Sequence, residues 1–221
     1  DILTWLESLL SKELISAFIG AIIGGLFTMW ATTRAHKLAD LAQHEAHLTL
    51  LYDTTRLIEV EISTAITVFM EEYGNELLQL PVDEPCVDVF PIGANPFPIY
   101  DSSPACLSRL QPELSGLLVR LYMRAKGLIT MVELNNADSE RARELAEARL
   151  HEQISRLTNN EVLEAGNRLK ELYVLDIHHN AEIMGMGMTA NGMKGLIQEI
   201  QMLLKQAKTL IDQLPKPKNR K

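Results

Sequence analysis

The pattern of apolar positions separates one uninterrupted apolar segment from a longer region in which apolar and charged residues mix. Residues 14–33 carry no charged side chain and lie between Glu13 and Arg34. At about 1.5 Å per helical residue the segment is roughly 30 Å long, which matches the hydrocarbon core of a bilayer. The pattern predicts a transmembrane helix over 14–33, preceded by a short flank at 1–13.

The apolar residues that follow have helical periodicity, which predicts an all-α domain over residues 34–213. No helix-breaking residue occurs between Arg34 and Gly74, so the transmembrane helix is expected to continue into a long amphipathic helix. Later signals predict a helix at 112–134, a turn at 135–138, a helix at 139–183 bent at 158–160, a loosened glycine segment (Gly185, Gly187, Gly192), and a helix at 193–213. Long helices with short connections predict an antiparallel bundle.

A proline-rich loop interrupts this helical pattern at residues 80–104. Proline lacks the amide donor and restrains the preceding residue to extended conformations, so no helix is expected to cross the loop. Aromatic and aliphatic residues alternate with the prolines, whereas a flexible linker would be polar. The loop is therefore a candidate binding site, with candidate contact residues Phe90, Phe97, Tyr100 and Asp101.

The run from Val89 to Ser103, VFPIGANPFPIYDSS, followed by a leucine-rich helix with Val119, Tyr122 and Lys126, resembles a family. Uncharacterised bacterial single-pass membrane proteins share this layout of an anchor, a long helix and an aromatic-proline segment ending in Tyr-Asp before a helix. Pro104 and Cys106 depart from the small hydrophobic turn that commonly follows in that family. The resemblance implies a recurring fold and a bacterial inner-membrane location, and it implies no activity.

Small residues recur every four positions in the apolar segment, at Ser16, Gly20, Gly24 and Thr28. Such a row allows two helix backbones to approach closely within lipid, where van der Waals packing drives association. We name these four residues the small-residue stripe, and they predict a homo-oligomer. A cleaved signal peptide or a buried core helix would also be apolar; however, bulky residues precede Ala31, and Trp5 and Trp30 suit interfacial positions.

Charge bears on orientation and on partners. Arg34 and Lys37 follow the apolar segment, so the positive-inside bias places the carboxy-terminal domain in the cytoplasm. The net charge of −8 argues against a nucleic-acid partner, which normally needs clustered basic residues. The tail at 214–221 is basic, and anionic membrane lipid would attract its cations, namely Lys216, Lys218, Arg220 and Lys221. A disordered solubilising end is the alternative interpretation of the tail.

Candidate chemistry is sparse. Cys86 and Cys106 flank the loop and would form a disulfide in an oxidising compartment or remain thiols in the cytoplasm. The pair His44 and His47 lacks the spacing of a zinc protease, and the methionines at 184–193 would suit copper only in a periplasmic domain. No phosphate-binding loop, dinucleotide motif or nucleophile elbow occurs. We therefore expect no metal, no cofactor and no enzymatic activity.

Two hypotheses of function follow. The first is a membrane-anchored, self-associating helical binding or scaffold protein that presents its aromatic-proline loop to a protein or a small ligand. The second is a membrane effector of the defence type, in which the apolar helices assemble into a pore or disrupt the bilayer when the cytoplasmic bundle is triggered. A pore would require a polar stripe, and the hydroxyl residues of the segment supply only a sparse one.

Overall fold

The computed structural model of the chain describes residues 12–91, 93, 97–157, 162 and 164–216. Every regular element among these residues is helical, as the sequence predicts, and no strand occurs among them. Contacts divide the chain into two compact units, one formed by Asp1–Leu50 and Pro215–Lys221, the other by Leu51–Leu214.

Helix α1 spans Lys12–Phe69. It contains the apolar segment and continues past Arg34 without interruption, which confirms the predicted long amino-terminal helix. This helix is long and apolar enough to cross a membrane. Gly74 does not end the helical run, because a π-helical turn at Met70–Gly74 leads directly into a short helix α2 at Asn75–Gln79.

The exposure of α1 differs between the two units. In the first unit every described side chain from Ser16 to Ala46 is exposed, and the large apolar ones include Phe27 at 66% and Trp30 at 60%. In the second unit Ile58 and Ile62 are fully buried. The apolar segment is therefore not a core helix of the described chain, since no other described residue covers it.

The loop region contains two one-turn helices, α3 at Pro98–Asp101 and α4 at Pro104–Leu107. Helix α3 lies inside the segment 80–104, for which no helix was predicted, so that prediction is wrong for its last residues. Proline occupies the first turn of both helices, where its missing amide donor has no intrahelical partner to lose. The preceding described residues of the loop, 81–91, 93 and 97, form no regular element.

Helix α5 spans Pro112–Ser155 without a break. It begins at the proline that the sequence predicts, but the predicted turn at 135–138 is wrong. Asn135 and Ser139 are fully buried within the helix, and their side chains donate hydrogen bonds to the backbone carbonyls of Asp88 and Val87. The predicted bend at 158–160 lies outside the described residues.

Two further helices pack on α5, α6 at Gly166–Ile183 and α7 at Met186–Asp212. Asn180 of α6 bonds to Ala142 of α5, and Arg149 of α5 pairs with Asp176. Farther back along α5, Arg120 and Arg124 pair with Glu199 of α7. Later residues of α6 and α7 thus contact earlier residues of α5. Both helices therefore run in the direction opposite to α5.

Helix α7 begins at Met186, seven positions before the predicted start at 193. Only Gly185 lies outside a helix, where its φ of 76° gives the left-handed turn between α6 and α7. Gly187 is helical and packs directly on the backbone of Asp83. Gly192 is helical too and contacts the side chain of Met131. Two of the three glycines thus serve close packing and do not loosen the chain.

Candidate interaction site

The loop lies along α5 and is bound by a row of polar side chains on that helix. Val87 O accepts hydrogen bonds from Ser139 Oγ and from Arg143 Nη2, the latter at 2.7 Å. Asp88 O accepts from Asn135 Nδ2 at 3.0 Å. We name residues 85–91 the strap, and we name the four α5 residues that bind its backbone the polar row: Asn135, Asn136, Ser139 and Arg143.

Asn136 makes the most complete contact with the strap. Its Oδ1 accepts from Phe90 N at 2.8 Å and its Nδ2 donates to Phe90 O at 2.6 Å. One side-chain amide thus satisfies both backbone groups of one residue, as a neighbouring strand would. A run such as Asn135-Asn136 normally favours a turn because the side chains bond to nearby backbone. Here the backbone that they bind is distant in sequence, so α5 continues.

Phe90 anchors the strap in an aromatic pocket. Its side chain is 2% exposed, and its ring packs edge to face on Tyr73 with centroids 5.1 Å apart and on Phe69 at 6.0 Å. Phe69 ends α1, and Tyr73 lies in the π-helical turn. The strap therefore connects the end of α1 to the middle of α5.

A second cluster forms where the loop reaches α3. The carboxylate of Glu61 accepts hydrogen bonds from Ile99 N at 2.7 Å and from Tyr100 N at 3.0 Å, so it satisfies amides in the first turn of α3. The ring of Tyr100 stacks on that of Tyr122 with centroids 3.8 Å apart. Tyr122 Oη donates a short hydrogen bond to Asp101 Oδ1. These contacts hold α3 on α5.

The electrostatics of this cluster favour a protonated phenol. Burial, followed by the hydrogen bond to Asp101, raises the pKa of Tyr122 to about 12. Burial and the charge of Asp101 also raise the pKa of Tyr100. Lys126 lies 5.4 Å from the centroid of the Tyr122 ring and 4.0 Å from Asp101 Oδ2. The cluster is held together by the stacked rings, the hydrogen bond from Tyr122 to Asp101 and the neighbouring cation of Lys126.

Two adjacent openings lie between the strap and the end of α1. One is an apolar groove of about 170 Å³ with Phe69, Phe97 and Val132 in its wall. The other is a cleft of about 340 Å³ whose lining includes the carboxylates of Glu72, Glu76 and Asp88. Glu72 and Tyr73 border both openings, and no basic side chain is among the described residues that line either one. The combination suits an apolar group with a neighbouring positive charge.

The four candidate contact residues differ in how far their side chains are exposed. Phe90 and Phe97 are each only 2% exposed, so neither presents a free ring at the surface, although Phe90 lines the cleft and Phe97 lines the groove. They are buried because each anchors the loop in the core of the second unit. Tyr100 is half-buried against Tyr122, and Asp101 is exposed. Of the four, Asp101 has the most exposed side chain, at 41%, although it accepts the hydrogen bond from Tyr122.

Cys86 and Cys106 are both free thiols. Cys86 is buried in the cleft beside Tyr73, and burial raises the pKa of its thiol. Cys106 Sγ lies 3.6 Å from Thr55 Oγ1. Because Thr55 and Tyr73 are separated along one helical run, the two sulfurs are on the order of 25 Å apart, whereas a disulfide needs Cα atoms within about 7 Å. The proposed bridge is incompatible with this fold.

The remaining candidate residues stand apart from the loop. All four residues of the small-residue stripe, Ser16, Gly20, Gly24 and Thr28, are exposed on α1. An added Cβ at Gly20 or Gly24 would meet nothing within 4 Å. In the tail Lys216 is exposed, whereas Lys218, Arg220 and Lys221 lie outside the described residues. Among the described residues no group of three His, Cys, Asp or Glu side chains is arranged to hold a metal ion.

Comparison with known proteins gave no match to a family model, to a curated protein or to a solved structure. Sequence reasoning missed the polar row and Glu61. The one sequence signal for the row is the pair Asn135-Asn136 followed by Ser139 and Arg143 within otherwise helical periodicity, and such an asparagine pair also favours a turn.

Proposed function

We propose that this chain is a membrane-anchored helical binding or scaffold protein that self-associates, with its helices arranged as an antiparallel bundle that carries the proline-rich loop. The observation that carries the proposal is the contrast along α1. Its apolar segment is exposed throughout, while residues 51–214 bury a core of their own. An exposed apolar helix of this length is costly in water and stable in lipid.

The anchor is proposed to cross the bacterial inner membrane once, with residues 51–214 in the cytoplasm. Arg34 and Lys37 support this orientation, and the basic tail would then meet anionic lipid. A membrane-impermeant thiol reagent applied to spheroplasts tests it through Cys106, since Cys86 is buried. Labelling of Cys106 only after lysis supports a cytoplasmic domain, and labelling of intact spheroplasts contradicts it.

Self-association is proposed to occur through the small-residue stripe. Gly20 and Gly24 leave open space on an exposed face, which a second helix could enter closely. Replacing both glycines by leucine should convert the oligomer to a monomer in detergent, as measured by light scattering. Ile22→Phe with Leu26→Phe adds bulk to the opposite face and serves as the matched control. An unchanged oligomeric state in the double leucine variant would contradict the proposal.

The partner surface is proposed to be the groove and cleft beside the strap, together with Asp101. Glu72, Glu76 and Asp88 give this surface a negative rim around an apolar wall, so the expected partner offers an apolar group and a positive charge. Glu72→Gln with Glu76→Gln should weaken capture of such a partner while leaving the thermal midpoint of the full chain unchanged. The exposed pair Glu144→Gln and Glu147→Gln is the control.

The effector hypothesis receives no support from the geometry of the anchor. A water-filled pore needs polar groups directed into its lumen. The hydroxyls of Thr28, Thr32 and Thr33 each donate to the carbonyl four residues earlier on their own helix. Membership of the membrane-protein family that the loop resembles remains a prediction, and it is consistent with the scaffold hypothesis.

A further inference from the structure

The groove beside the strap has an almost entirely apolar wall. Its lining includes Val68, Phe69, Phe97 and Val132, and Glu72 is the one charged side chain among the described residues that line it. Its volume of about 170 Å³ is close to that of an apolar cavity that binds benzene, about 150 Å³. The groove therefore has room for one aromatic ring or branched alkyl group, whereas a helix, with a diameter of about 10–12 Å, does not fit inside it.

The cleft next to the groove is lined by three carboxylates that have no counter-charge. Among the described residues, no ion pair involves Glu72, Glu76 or Asp88. The nearby Lys194 donates to two backbone carbonyls instead. Glu72 and Glu76 are also four positions apart along one helical run, and like charges at that spacing repel each other. A cation in the cleft would relieve this repulsion.

A π-helical turn lies where the groove and the cleft meet. Glu72 and Tyr73 border both openings, and both residues belong to the π-helical turn at Met70–Gly74. Turns of this type are rare and occur frequently at functional sites. Tyr73 also brings an aromatic ring to the junction, and aromatic rings attract organic cations. A bed for an apolar group and a site for a positive charge thus adjoin at one point of the helical run.

We propose that the groove and the cleft together bind a small organic cation, with a benzene-sized apolar group in the groove and an ammonium group beside the carboxylate of Glu72. Charge complementarity identifies this ligand, since the described lining residues offer apolar and negative groups and no basic ones. A bare metal ion does not fit, because no three His, Cys, Asp or Glu side chains among the described residues are arranged to hold one. This inference rests on the proposed partner surface and names the class of its ligand.

Calorimetric titration of the full chain in a non-ionic detergent tests the proposal, with phenethylamine as the probe. This compound carries a phenyl ring and an ammonium group joined by a short alkyl chain. Phenethyl alcohol has the ring without the charge, and ethylamine has the charge without the ring, so the two serve as chemical controls. We expect saturable binding of phenethylamine and roughly tenfold weaker binding of both controls, because each control lacks one of the two contacts.

Two substitutions test the two ends of the ligand. Glu72→Gln removes the charge at the junction and should weaken phenethylamine binding roughly tenfold. Val68→Phe fills the groove from an exposed position on α1 and should weaken binding by a similar factor. The matched controls are Glu144→Gln on α5 and Val60→Phe, since Val60 is exposed on α1 and does not line the groove. All four residues are exposed, so the thermal midpoint of each variant should match that of the unchanged chain.

The outcomes separate this inference from the proposed function. Binding that falls in Glu72→Gln and Val68→Phe but not in the control variants supports the inference. Absence of binding, or binding that neither variant changes, as partition into micelles would give, overturns it. If a protein is captured through Glu72 and Glu76 while phenethylamine does not bind, the inference fails and the proposed function stands. Specific binding of phenethylamine by a chain that does not self-associate supports the inference and contradicts the proposed scaffold.

Discussion

The close approach of Gly187 to the turn at residues 80–84 leads to a sharp prediction about stability. A Cβ added at Gly187 would lie 2.6 Å from the carbonyl carbon of Asp83 and 3.0 Å from its Cα, with the carbonyl oxygen nearer still. Ordinary contact begins at 3.4 Å, so the backbone of the turn has to move by more than 0.8 Å, the difference between 3.4 Å and 2.6 Å, because the carbonyl oxygen is nearer than the carbonyl carbon. Backbone yields less easily than the end of a side chain.

That movement would disturb the contacts that fasten the turn to α7. Asn191 Nδ2 donates to Asp83 Oδ1 at 2.7 Å, and Lys194 Nζ donates to Leu80 O at 2.8 Å and to Pro81 O at 3.0 Å. Asp83 has a φ of 63°, a conformation in which the turn has little room to adjust. Overpacking of this kind costs about 1–3 kcal/mol. Gly187→Ala should therefore destabilise the chain by about that amount.

The same helix supplies matched controls for this substitution. An added Cβ at Gly195 meets nothing within 4 Å, so Gly195→Ala should stabilise the chain by about 0.5–1 kcal/mol through helix propensity alone. Gly192→Ala should fall between the two, because its Cβ meets only the flexible end of Met131.

Thermal unfolding of the full chain in detergent, followed by circular dichroism, measures the order. Each kcal/mol corresponds to roughly 2–4 °C in the midpoint for a chain of this size. If Gly187→Ala is as stable as Gly195→Ala, the close packing of the turn on α7 is wrong.

Three further predictions concern the strap and the tyrosine cluster. Asn136→Ala should lower the free energy of unfolding by about 1–3 kcal/mol, because it leaves the Phe90 amide and carbonyl unpaired. The control Asn167→Ala should change it by less than about 0.5 kcal/mol. Equal effects of the two substitutions in denaturant titrations would contradict the contact between Asn136 and Phe90. The tyrosinate absorbance of Tyr122 should appear near pH 12 and be missing from Tyr122→Phe. Since its folded pKa is raised, its contribution to stability is present below pH 10 and lost as the pH rises towards 12. Maleimide should label Cys106 in the folded chain and Cys86 only after denaturation, as mass spectrometry of tryptic peptides would show; equal labelling rates would contradict the burial of Cys86.

Local signals in the sequence were sufficient for much of the helical structure. The absence of breakers after Arg34 predicted the long first helix, and Pro112 correctly marked the beginning of α5, because proline at a first turn acts through its own φ angle and missing donor. Such features depend on neighbours within a few residues. They can be predicted without knowledge of the rest of the chain.

The errors share one cause. Asn135 and Asn136 favour turns when they bond to nearby backbone, and Gly187 favours a loosened chain when nothing packs on it. In the fold the asparagines bond to the strap and the glycine packs on Asp83. The aromatic residues of the loop are ambiguous in the same way. An apolar ring among prolines is equally consistent with an exposed binding surface and with a buried ring that holds the loop on the core.

By itself the sequence determined that the chain is helical and that one helical segment of bilayer length carries no charged side chain. Helix propensity, apolar periodicity and segment length are properties of local sequence. Only the tertiary structure decided that the loop lies along α5, that Phe90 and Phe97 are buried, and that Cys86 and Cys106 are far apart. The physical reason is that a buried polar or aromatic group needs a partner, and partners distant in sequence become neighbours only in the folded chain.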